Sequence, residues 1–91
     1  MLRGGPGDTL TGSNAADTFV FAPNFGQNTI TNFNFHNDTL ELPQSEFHDI
    51  TTVFDDAYQH GTDTIIAHDA DVITLQHVSL SQLHDSHILL V

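Results

Sequence analysis

Three glycines within four residues, then a carboxylate, stand near the start of the chain as Gly4-Gly5-Pro6-Gly7-Asp8. Glycine takes up positive φ without steric cost, so such a run can fold the backbone into a tight loop with its carbonyls turned inward. A carboxylate beside that loop makes an oxygen-rich nest of the kind a hard cation such as calcium binds. The pattern returns almost at once as Gly12-Ser13-Asn14-Ala15-Ala16-Asp17, with serine and alanine where glycines would serve better.

Other chemistries are less well supplied. There is no cysteine, which removes disulfides, thiolate metal sites and a thiol nucleophile. Seven histidines (36, 48, 60, 68, 77, 84 and 87) raise the possibility of zinc. His84 and His87 have a chelating spacing, but no third ligand is fixed by spacing. His68-Asp69, with His77 near Ser79, lacks the Gly-x-Ser-x-Gly elbow of a hydrolase. Asp55-Asp56 reads as the solvated side of a helix rather than an acid–base pair. No catalytic residue is assigned, and the chain is expected not to be an enzyme.

The charge is lopsided. Ten Asp and two Glu face one basic residue, Arg3. Such a surface repels nucleic acid and gives no pull toward an anionic membrane. It attracts divalent cations, although acidity also serves solubility alone. No apolar run approaches the roughly 20 residues needed to span a bilayer, so membrane insertion is not expected. Residues 1–20 do not read as a secretory signal peptide, and export would need another signal.

The elements that must position the loops follow from a small recurring motif of Asp or Asn, Thr and an apolar residue. It occurs at Asp8, Asp17, Asn28 and Asp38, spaced 9, 11 and 10 residues apart, and again at Asp63. A turn and a strand per unit at short regular spacing predict stacked coils that bury their apolar faces on one another. Alternation in Phe19-Val20-Phe21 and Leu40-Glu41-Leu42 predicts strands with one face inside. After Pro43 the period changes. Ile50, Val53, Phe54, Ala57 and Tyr58 form one face of a short helix, with Asp49 as its cap and Gly61 past its end. Phe54 is expected inside, and Asp55 and Asp56 in water. Strands are expected over 64–67 and 72–77 with a turn at 69–71, then a helical turn at 78–83 and a last strand at 87–91.

These residues resemble the RTX proteins, whose hemolysin-type calcium-binding repeat is G-G-x-G-x-D-x-U-x with U apolar. Residues 12–20 fit that frame with Gly12, Asp17 and Phe19 in place. Residues 4–11 fit with Gly4, Gly5, Gly7, Asp8 and Leu10, one residue short before Asp8. Residues 19–42 resemble the segment that closes RTX arrays, and 63–83 the cap that follows it. The ending Asp85-Ser86-His87-Ile88-Leu89-Leu90-Val91 looks like the acidic-then-apolar end of a type I secretion signal.

The resemblance implies a mainly β chain: a short parallel β-roll turn closed by a β-rich C-terminal cap with one short helix. It implies one domain over 1–91, with degenerate repeats in 1–42 and the cap and secretion signal in 43–91. It also implies calcium at Gly4, Gly5, Gly7, Asp8, Asp17 and Asn28. Asp8 and Asp17 would lie on opposite sides, Asp8 pairing with the Gly26-Gln27-Asn28 region, where Asn28 holds the usual aspartate place. With so few carboxylates the affinity would be weak, on the order of 10⁻⁴ to 10⁻³ M. The partners implied are calcium, the type I secretion apparatus, and an upstream repeat or effector region if the chain is a fragment. The location implied is extracellular. A structural or adhesive module with no functional metal site is the alternative.

Overall fold

The computed structural model describes residues 1–13 and 15–91. Each apolar alternation in the first half becomes a strand: β1 (Leu2–Gly4), β2 (Thr9–Thr11), β3 (Thr18–Phe21), β4 (Gln27–Thr31) and β5 (Thr39–Leu42). Successive strands go to alternate sheets. One sheet has the order β1-β3-β5-β9, with β9 being His87–Leu90, and every pair in it is parallel. The other is β2-β4-β8-β7-β6, adding β6 (Ala57–His60), β7 (Asp63–His68) and β8 (Asp71–Leu75). It is parallel from β2 through β4 to β8 and antiparallel from β8 through β7 to β6.

The inward positions of both sheets meet in one core. Phe19, Phe21, Leu40 and Leu42 come from the first sheet, and Ile30, Ile66, Ile73 and Leu75 from the second; all are buried. Burying a side chain of this size stabilises the fold by about 1.5 to 3 kcal/mol. The register keeps the rows continuous, with Phe19 opposite Leu40 and Leu40 opposite Ile88.

The expected short parallel β-roll turn closed by a β-rich C-terminal cap with one short helix is not what forms. Strands from beyond Pro43 extend both sheets: β8 adds in parallel to β4, and β9 to β5. One sheet is wholly parallel, the other is mixed, and the described residues hold two short helices instead of one. The physical reason is the unpaired edge that β4 and β5 would otherwise leave. The apolar alternations of 71–75 and 87–90 match those edges and continue the core. The chain remains mainly β.

The region after Pro43 also departs from the expected helix face. Helix α1 spans only Ile50–Asp55, capped by the Asp49 side chain, whose Oδ1 accepts the Thr52 N–H at 2.9 Å. Val53 is its fully buried residue. Phe54 is half-buried and stacks on the His84 ring, with centroids 4.1 Å apart and planes 16° from parallel. Asp56 is the C-cap and meets His68 rather than water alone. Ala57 and Tyr58 belong to β6, because pairing with β7 satisfies their backbone where another helical turn would satisfy only itself. Gly61, at φ +62, makes the hairpin between His60 and Asp63 instead of ending a helix. Asp69 and Ala70 turn the β7–β8 hairpin. Helix α2 (Leu80–His84) starts with a reciprocal capping box: Gln82 N–H donates to Ser79 Oγ at 3.2 Å, and Ser79 N–H to Gln82 Oε1 at 2.9 Å. Both helices are too short to persist alone, and docked Val53 and Leu83 hold them.

Candidate cation site

The loop from Gly4 to Asp8 carries β1 out of one sheet and into β2 of the other. Gly7 takes φ +78, which is why glycine suits that place. The Gly5 N–H donates to Asp8 Oδ2 at 2.8 Å, so the carboxylate braces its own loop. The Ser13 N–H makes the corresponding bond to Asp17 Oδ2 at 2.6 Å, and Ser13 Oγ adds another at 3.1 Å. The first loop achieves with three residues of separation what the second does with four. Asn14, inside the second repeat, lies outside the described residues.

The first loop sits on the turn before β4. Gly7 N–H donates to Gln27 O at 2.9 Å, and Thr29 N–H to Asp8 O at 3.0 Å. Thr9 pairs with Thr29, so Asp8 and Asn28 hold matching places at the heads of neighbouring parallel strands. Asn28 is 3% exposed. Its Nδ2 donates to Phe25 O at 2.9 Å, while its Oδ1 is buried with no hydrogen-bond partner among the described residues. That oxygen lies under Gly4: a Cβ on Gly4 would come within 3.0 Å of it and would also run into the Phe21 ring. A Cβ on Gly5 would stand 3.3 Å from Asp8 Oδ2. Gly4, Gly5, Asp8 and Asn28 are thus brought together. A cavity of about 270 Å³ opens beside them, lined by Gly7 to Thr9, Gln27 to Thr29, Val72 and Thr74.

Asp17 is not part of this group. It leads into β3, in the other sheet, and its neighbour there is Asp38. Asp38 is fully buried; its Oδ1 accepts the Asp17 N–H and its Oδ2 the Asn34 N–H, each at 2.8 Å. Asp71, also buried, accepts the Gly26 N–H at 2.8 Å. Sequence reading missed both residues as structural carboxylates. Asp38 carried a signal, the Asp-Thr-Leu motif, whereas Asp71 was hidden in a hairpin turn. Among the described residues no three His, Asp or Glu side chains converge closely enough to hold a metal by themselves. A calcium ion at the Asp8–Asn28 group would complete its six to eight oxygens with backbone carbonyls and water.

No family model matches the chain, and no curated protein sequence does. In three dimensions it is similar to part of the extracellular lipase LipA from Serratia marcescens, with a TM-score of 0.83 and 30% sequence identity. The similarity covers 96% of this chain but only 14% of the lipase chain. This chain therefore shares its two-sheet fold with a segment of a secreted protein.

Proposed function

We propose that this chain is a module of a secreted RTX-type protein that binds calcium weakly at the loop of Gly4, Gly5, Gly7 and Asp8 together with Asn28. The observation that carries this reading is the Asn28 Oδ1, buried without a partner among the described residues, on a residue in register with Asp8. A buried acceptor without a donor costs about 1 to 3 kcal/mol, and an ion or its water shell would relieve it. Folding would then be coupled to calcium, because the loop and β4 meet only in the folded state. The similarity to part of an extracellular lipase supports an extracellular setting. Binding rather than catalysis is the role proposed, with the type I secretion apparatus as the partner of the 85–91 tail. Nucleic acid and membranes have no part in it.

A second reading, a structural module with no metal, is favoured by Asp17 and Asp38. Asp38 already has backbone donors on both oxygens and Asp17 has two donors on one. The Asp17 loop is therefore assigned to this second reading and the Asp8 loop to the first.

Titration calorimetry and thermal melts, in EDTA and in millimolar calcium, separate the two readings. Calcium at about ten times its Kd should add about 1.4 kcal/mol by mass action. Asp8→Ala should remove that gain, and Asp17→Ala should leave most of it. Absence of both binding heat and a melting shift at about 10 mM calcium, tenfold above the weakest extracellular modules, would overturn the first reading.

A further inference from the structure

Away from the glycine loop, one polar joint ties four segments together. Glu46, in the turn after β5, accepts the Asn24 N–H on Oε1 at 3.3 Å. Its Oε2 is buried and has no donor among the described residues. The Asp71 carboxylate, 7% exposed, is held on the same turn by the Gly26 N–H at 2.8 Å, and its charge adds to the rise in the pKa of Glu46. Two carboxylates so placed repel one another when both are ionised, and one proton between them turns the repulsion into a hydrogen bond. Asp71 and Glu46 also grip one turn, since Asp71 Oδ1 accepts from Gly26 and Glu46 Oε1 from Asn24.

His68 stands beside this pair. Its ring packs on Phe47, with centroids 5.3 Å apart. Nδ1 is 3.1 Å from Asp56 Oδ2, and Nε2 is 3.8 Å from Asp69 Oδ2. The imidazole therefore stands between Asp56, from the C-cap of α1, and Asp69, from the hairpin turn, and Glu46, from the β5–α1 connection, also favours its charged form. Burial, reinforced by Asp71, raises the pKa of Glu46 above its ordinary 4.5. The bond to Asp56 raises that of His68 above its ordinary 6.5, against the effect of burial.

We propose that this joint is an acid-stabilised latch. A proton shared by Glu46 and Asp71, and a charged His68 among Asp56, Asp69 and Glu46, pin the 43–49 connection to the 24–26 turn and the β7–β8 hairpin. Loss of those protons loosens the connection. A group whose pKa is raised by folding contributes stability that is present below its unfolded value and lost as pH climbs through its folded one. Glu46 loses its share as pH rises above 4.5, and His68 loses its share above 6.5. The latch operates with or without a bound cation, so its test is run in EDTA.

Glu46→Gln is the informative variant, because its amide donates to Asp71 at every pH and stands in for the protonated acid. Urea midpoints and protection of the Asn24 amide against hydrogen exchange are compared at about pH 5 and about pH 8, the range in which histidine switches. The wild-type midpoint and the Asn24 protection should both fall with rising pH. Glu46→Gln should fall less and exceed the wild type at the higher pH, and His68→Gln should lose only the upper part of the slope. Equal falls in all three proteins, or an Asn24 amide indifferent to pH, would overturn the latch. Should Glu46→Gln fail to fold, the wild-type Asn24 and Gly26 amide shifts decide. They must move as pH rises above 4.5, where the Glu46–Asp71 proton is lost, and shifts that stay flat from there to about pH 8 would overturn the proposal.

Discussion

The buried carboxylate of Asp38 accepts the backbone N–H of Asp17 at 2.8 Å, joining two turns that lie 21 residues apart in sequence. Its other oxygen accepts the Asn34 N–H, and the Thr39 N–H adds a direct bond between the turns, to Asp17 O at 2.9 Å. Asp38→Ala leaves two inward N–H groups without acceptors and should cost about 2 to 4 kcal/mol. Asp55→Ala, on the exposed side of α1, should stay within about 0.5 kcal/mol. Denaturant melts of the two variants at fixed calcium check this, and equal losses would refute the structural role of Asp38.

Asn28→Asp tests the candidate cation site from the opposite direction to Asp8→Ala. The substitution removes the Nδ2 donation to Phe25 O and buries a second carboxylate beside Asp8. In EDTA the variant should be less stable than the wild type, by about 1 to 3 kcal/mol. In calcium it should regain more than the wild type gains, because the added charge strengthens an oxygen site. Melting curves with and without calcium measure both terms; an unchanged calcium increment would argue against an ion at Asn28.

Phe54 and Phe47 should part company. Phe47 is fully buried, and its replacement by Ala should cost about 3 to 5 kcal/mol. Phe54 is only half-buried against His84, so Phe54→Ala should cost about 1 to 2 kcal/mol, nearer the value of one aromatic contact with partial burial. Urea midpoints of the two variants decide between them.

Acid should fray α1 before it unfolds the sheets. The bonds from the Thr52 N–H and hydroxyl hold the Asp49 carboxylate below its ordinary pKa of 3.8. A depressed folded-state pKa contributes stability present above the unfolded value and lost as pH falls through the folded one. The Thr52 amide should therefore lose its low-field hydrogen-bonded shift below pH 3.8, with the β-sheet amides still protected. Thr52 unchanged through that range would contradict the cap.

Removing 83–91 to test export would not leave the rest intact. Leu83 is fully buried, and β9 pairs along β5, so the truncated chain should lose its cooperative unfolding transition by circular dichroism. A truncation that melts like the wild type would show β9 to be dispensable. Substitutions at the exposed positions Asp85 and Leu89 probe the proposed secretion signal without that loss. Reduced export with an unchanged melting curve is the expected result.

The sequence by itself determined the strands around 19–21, 40–42 and 72–75 and the side chains they bury, but not β1, nor β6, whose start it placed in a helix. Phe19 and Phe21, Leu40 and Leu42, and Ile73 and Leu75 alternate with polar or half-buried neighbours, and period-2 alternation is a local property. It also marked the Asp49 cap, the turn at 69–71 and the unusual loop at 4–8. Only the tertiary structure decided where strands 71–75 and 87–90 belong, since edges tens of residues away in β4 and β5 received them. The same contacts ended α1 at Asp55, because β7 offered Ala57 and Tyr58 a better backbone partner than a further helical turn. They also set the fate of the aspartates. Asp8 and Asp38 share the Asp-Thr-Leu pattern, yet the first is exposed and the second is buried under backbone N–H groups, as is Asp71, which lacks the pattern. Whether a carboxylate meets water, a peptide or another carboxylate depends on what folds against it, and no local pattern of residues encodes that.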